Sequence, residues 1–188
     1  MPRTHAKLLF RTCLAGLLLL AFPGRGQPKA GTAEPEALLA AFVYNFCLFT
    51  NWPGDEAAGP DQTFVLAQAG QPLDTLAALA RRHLGDRPVR VVHLASGEAL
   101  PEPCHALVLR GLPPAQRDAL LVQAAQRPIL TLSPDPGFRQ AGGIVEFHLS
   151  DQRMRFRISL ANMARARLRI ESRLLKLAEP PPAGEEEL

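Results

Sequence analysis

The chain has 188 residues, 47 % of them apolar and 21 % charged; that is one domain with short appendages, too rich in core-forming residues for wholesale disorder. Its 21 basic and 18 acidic side chains give a nominal charge of +3, but Arg3, Lys7, Arg11 and Arg25 all fall within the first 26 residues. Setting those four aside leaves 17 basic against 18 acidic residues, a net charge of −1, which argues against a dedicated nucleic-acid binder.

Residues 1–26 read as an export signal. A basic stretch precedes the apolar run Leu14–Phe22, and Pro23-Gly24-Arg25-Gly26 then breaks the pattern. Nine apolar residues are too few to span a bilayer, which takes about 20, and the arrangement is that of a secretory signal. The small residues put cleavage after Gly26, with Ala30 as the alternative. Two cysteines then remain, Cys47 and Cys104. An exported protein can form a disulfide, and two buried free thiols are the other reading.

Residues 27–33 read as a linker and 34–178 as a single domain. Glu34-Pro35-Glu36 opens a helix, with acids at the positive end of its dipole. Leu38, Leu39, Phe42, Val43, Phe46 and Phe49 recur at helical spacing and give a wide apolar face, which Trp52-Pro53-Gly54 terminates. A strand is expected at Thr63–Ala67, a helix at Pro72–Arg82, and strands at Val89–Leu94 and His105–Leu109. A helix follows from Pro113 to about Gln126, then a buried strand at Ile129–Leu132 and a turn cluster at Ser133–Gly137. This alternation predicts an α/β fold with a mostly parallel sheet flanked by helices.

The pattern then changes to an antiparallel hairpin within Ile144–Leu160. Met154, Phe156, Ile158 and Leu160 alternate with Arg153, Arg155, Arg157 and Ser159. A two-residue loop at Asp151-Gln152 pairs Leu149 with Met154, Phe147 with Phe156 and Val145 with Ile158. On the other face His148 opposes Arg155 and Glu146 opposes Arg157. A slip of one residue would bury arginines. The polar face is either a solvated surface that protects a sheet edge or a recognition surface for an acidic partner or ligand. Residues 161–178 read as a final helix, breakable at 168–172, where Leu168-Arg169-Ile170-Glu171-Ser172 alternates. Residues 179–188 are proline-rich and acidic and read as a disordered tail.

No phosphate loop, dinucleotide fingerprint, zinc-protease helix or nucleophile elbow is present. Cys104-His105 is not a thiol–imidazole dyad, because neighbours on a strand point to opposite faces. His83, His93, His105 and His148 lack metal-ligand spacing. Phe42, Tyr44, Phe46, Phe49 and Trp52 read as core, and Arg165, Arg167, Arg169, Arg173 and Lys176 as the wet side of the last helix or, alternatively, as a face toward acidic phospholipid or a partner. No catalytic set, cofactor site or metal site is assigned.

Several segments, in order, resemble the YfiR family of periplasmic proteins: LAAFVYNFCLFTNWP at 39–53, PCHALVL at 103–109, ILTLS at 129–133 followed by Gly142-Gly143-Ile144, Met154–Leu160, and IESRLLKLA at 170–178. Ser159 and Glu171 stand where an asparagine and a serine are expected, and Arg167 where a glycine is usual. The resemblance implies a non-enzymatic, homodimeric periplasmic regulator. Its implied partner is a membrane-anchored inner-membrane protein, a diguanylate cyclase or a sensor kinase, held down through its periplasmic part. By position, the partner surface falls on Arg155, Arg157, Ile158 and Asn162. The resemblance also implies that the redox state of Cys47 and Cys104 affects stability. The competing reading is a periplasmic domain that senses a small ligand in the crevice at the strands' carboxyl ends.

Overall fold

The structure, a computed structural model, describes residues 35–54, 62–81 and 83–180. The expected signal, the linker and residues 181–188 lie outside the described residues.

Helix α1 (Pro35–Leu48) carries the first apolar face, with Leu39, Val43 and Phe46 buried. It leads into the two-residue strand β1 (Thr50–Asn51). Strands β2 (Phe64–Gly70), β4 (Arg87–Leu94), β5 (Ala106–Arg110), β6 (Leu130–Ser133) and β7 (Val145–Ser150) form a parallel array in the order β4-β2-β5-β6-β7. Antiparallel strands close both sides. The short β3 (His83–Leu84) lies outside β4, and β8 (Arg153–Ile158) outside β7. The mostly parallel α/β sheet with a C-terminal hairpin is therefore as expected.

The sheet separates two cores, and the strand period of two sorts residues between them. Phe64, Leu66, Ala106 and Val108 join α1 and the C-terminal segment in one core. Ala67, Ala69, Leu107 and Leu109 join Leu120, Leu121 and Phe138 in the other. The second is covered by α3 (Pro114–Ala124), which starts at the expected proline pair. Residues 72–82 differ in detail. Only Asp74–Ala77 is α-helical (α2), and Ala78–Arg81 tightens into a 3-10 turn, short pieces held by the buried anchors Leu73, Leu76 and Leu79.

The C-terminal stretch breaks where its alternation begins. α4 (Leu160–Arg165) is capped by Ser159, whose hydroxyl accepts the Asn162 N–H at 3.2 Å. Serine thus supplies the same cap that the expected asparagine would. Arg167 then sits in the left-handed region at φ 57°, where a glycine suits the backbone better. That turn redirects Arg169–Ile170 (β9) to pair antiparallel with Thr50 and Asn51 of β1. The last short helix is α5 (Ser172–Leu175), with Leu174 buried. Among the described residues no helix is long and apolar enough to cross a membrane.

Candidate functional site

The hairpin β7–β8 has the expected register in full: Val145–Ile158, Glu146–Arg157, Phe147–Phe156, His148–Arg155 and Leu149–Met154. Asp151 and Gln152 both have positive φ, 50° and 59°, the backbone of a two-residue hairpin turn that matches strand twist. The apolar face carries Phe147 and Phe156. Phe42 and Phe46 of α1 meet both rings edge-on, with centroids 4.9–6.0 Å apart.

The polar face is not open, because Glu179 lies on it. One carboxylate oxygen of Glu179 is 2.8 Å from His148 Nε2 and accepts from Arg157 Nη2 at 3.4 Å. The other is 3.7 Å from Arg155 Nε. The Glu179 backbone N–H also donates to the Phe156 carbonyl at 2.9 Å, a bond on the outer side of β8, the last strand of the sheet. One carboxylate thus serves a histidine and two arginines. His148 Nδ1 and Arg157 Nε are buried without a hydrogen-bond partner, each a cost of about 1–3 kcal/mol. Glu146, expected on a solvated face, is only 6 % exposed. Its carboxylate accepts the backbone N–H of Arg139 at 3.2 Å, while the Arg157 guanidinium turns to Glu179.

Of the four residues that the resemblance singles out by position, Arg155 and Arg157 lie on the polar face of the hairpin and Ile158 and Asn162 lie beneath it. Arg155 is 44 % exposed and Arg157 23 % at the side chain. Ile158 belongs to the first core. Asn162 is buried, donating to the carbonyls of Arg139 and Gly143 at 3.1 and 2.8 Å and accepting from Arg165 at 2.8 Å. These two hold the base of β8 and the 139–143 loop in place. Sequence reasoning missed Glu179, which it assigned to the tail. The available signal was the imbalance on the hairpin's polar face: three arginines and a histidine against a single acid demand another carboxylate from elsewhere.

The other candidates are structural. Cys47 and Cys104 are free and buried, one in each core on opposite sides of the sheet. Burial pushes the Cys47 thiol up and that of Cys104 up to about 11. His105 points away from Cys104. It stacks on Phe64 with centroids 4.9 Å apart, accepts the Val65 N–H at 3.0 Å, and has Arg87 Nη2 at 2.9 Å. Trp52 and Phe46 are buried, and Phe42, Tyr44 and Phe49 pack half-buried against the same core. Among the described residues no group of three acidic, histidine or cysteine side chains is placed to hold a metal.

The crevice at the strands' carboxyl ends lies between β2 and β5, where the chain's course across the sheet reverses. Groups of the protein meet there. A side chain at Gly70 would run into the Arg110 carbonyl, Arg110 pairs with Glu36 at 2.6 Å, and the Gly111 N–H is taken by Asp135 at 2.7 Å. An open cleft of about 450 Å³ lies beside it, against α3, with His93, Glu98, Gln116 and Gln123 among its lining. Two of those groups are already engaged: Glu98 accepts from the Ala95 N–H at 2.8 Å and Gln123 from the Leu100 N–H at 3.1 Å.

A family model described as YfiR/HmsC-like matches residues 36–179, running from the first turn of α1 to Glu179 on the hairpin. No curated protein matches the chain.

Proposed function

Since the chain belongs to the YfiR/HmsC-like family, a regulatory and periplasmic family linked to cyclic di-GMP signalling, we propose that it binds and represses a membrane-anchored signalling protein. The partner in this reading is a diguanylate cyclase, engaged through its periplasmic part and held inactive without any covalent chemistry. The single observation that supports a surface for this is the cationic face of the β7–β8 hairpin. Arg155 and Arg157 stand there on the edge strand β8 with His148 beside them on β7, fixed from below by Ile158 and Asn162. Exposed Leu48, Leu149, Leu160 and Leu177 give a second copy apolar surface to bury, in keeping with the homodimer this reading includes. Cys47 and Cys104 are its redox-sensitive residues. An oxidant reaches them only when a core opens, so oxidation acts on stability first.

Deleting the gene is expected to raise cellular cyclic di-GMP and biofilm. An unchanged nucleotide pool would remove the repressor reading. Replacing Arg155 and Arg157 together by Glu is expected to abolish capture of the partner's periplasmic part with the circular dichroism spectrum unchanged; undiminished capture would clear this face. The cleft beside α3 favours a second reading, a small-ligand sensor, because its size suits a metabolite. Saturable thermal stabilisation by a periplasmic metabolite would identify that activity.

A further inference from the structure

We propose that Glu179 is an internal ligand: it holds the place of a carboxylate on an extended acidic segment of the partner, which docks as an added strand on β8 and must displace Glu179 to do so. The inference deepens the reading above and rests on the same surface.

Three observations carry it. First, β8 ends the sheet, so its outer backbone groups form a row to which a strand can add. Glu179 contributes one ladder-like bond to that row, to the Phe156 carbonyl. It can hardly contribute more, because Pro180, Pro181 and Pro182 follow it and proline has no N–H to donate. An incoming segment without prolines can continue the ladder. Second, the charges are placed for a carboxylate. His148, Arg155 and Arg157 converge on one, in the pattern that acidic motifs use elsewhere. Third, the present occupant meets His148 closely, at 2.8 Å, but fits the arginines loosely. Its distances to the arginines are 3.4 and 3.7 Å, beyond the 2.7–2.9 Å of a close charge-assisted pair, and buried His148 Nδ1 and Arg157 Nε stay without partners. A bidentate carboxylate on Arg157 would supply the acceptor its Nε lacks. The strap therefore covers the edge without satisfying it, as a displaceable guard must. Because it is tethered, its effective concentration is high, and it sets a threshold that only a better-fitting segment passes.

The test uses the purified protein and a fluorescein-labelled, proline-free peptide, Glu-Val-Glu-Val-Glu-Val, followed by fluorescence anisotropy. Glu179→Gln removes the internal charge and keeps the backbone bond. It is expected to bind the peptide at least about tenfold more tightly than the wild type, the scale of one charge-assisted hydrogen bond taken from the competitor. The Gln-Val-Gln-Val-Gln-Val peptide is expected not to bind. Adding Arg157→Gln, or the more exposed Arg155→Gln, to the Glu179→Gln variant is expected to cancel the increase, with circular dichroism verifying the fold of each. Equal affinity in wild type and Glu179→Gln overturns the proposal. So does displacement of the peptide by free glutamate at equal concentration, since that marks a small-molecule carboxylate site and not a strand dock. If the peptide behaves as expected but gene deletion leaves cyclic di-GMP unchanged, the dock stands and the repressor reading falls. If deletion raises the nucleotide and the peptide does not discriminate, only the dock falls.

Discussion

Cys104 and Cys47 show how burial makes a small polar group sensitive to pH. The Cys104 thiol is pushed from 9.0 to about 11, mainly because a thiolate in the second core would lose its hydration, and Cys47 shifts the same way for the same reason. The folded chain therefore keeps protons that the unfolded chain releases. Stability is full below about pH 9 and is lost as pH rises through the window from 9 to 11. For Cys104 the shift of about two units corresponds to about 2–3 kcal/mol by pH 11. Urea midpoints are expected to stay level from about pH 7 to 8.5 and to fall above about 9, with a shallower fall in Cys104→Ala. A fall of equal steepness in that variant would show that other groups cause it. Both thiols should also resist a thiol reagent at neutral pH until the chain is denatured.

At the scale of elements, α1 is locked to the hairpin by four phenylalanine rings. Phe46 is fully buried and meets Phe156 at 4.9 Å and Phe147 at 5.5 Å. Phe46→Ala is expected to cost about 3–5 kcal/mol, with Phe42→Ala costing less because its ring is only half-buried. Chemical denaturation of both variants checks this, and equal losses would refute the ranking. The same elements show what was legible in sequence. The hairpin register could be read because both of its faces alternate, so one pairing satisfies them together. α1 could be read because its apolar residues fill a helical stripe. The break in 161–178 was visible only as a short alternation. Its cause, a left-handed Arg167 followed by pairing of Ile170 with Thr50, depends on a strand far earlier in the chain. Glu179 escaped for a similar reason. Its partners lie 22–31 residues upstream, three prolines follow it, and local composition suggests flexibility where a long-range ion pair fixes the backbone.

For the molecule as a whole, the central question is whether repression by contact alone is enough. A binder that prefers one state of its partner can shift that partner's equilibrium only by the ratio of its affinities for the two states. Under the proposed reading it must also be present in stoichiometric amount, since each repressed partner would hold a fixed number of copies. An enzyme is bound by neither limit. The structural roles of Cys104 and His105 and a hairpin face whose side chains converge on a carboxylate fit the stoichiometric case. Titrating this protein against a fixed amount of reconstituted cyclase should therefore give a repression curve that breaks at a whole-number ratio. Raising the cyclase alone should restore its activity, and raising both together should silence it again. Silencing at a small fraction of the cyclase concentration would mean that the chain turns over a substrate, and the contact mechanism would have to be abandoned. A break at the expected ratio that moves to lower total concentrations in Glu179→Gln would join this mass action to the strap, because removing the internal competitor tightens the complex without changing how many copies it takes.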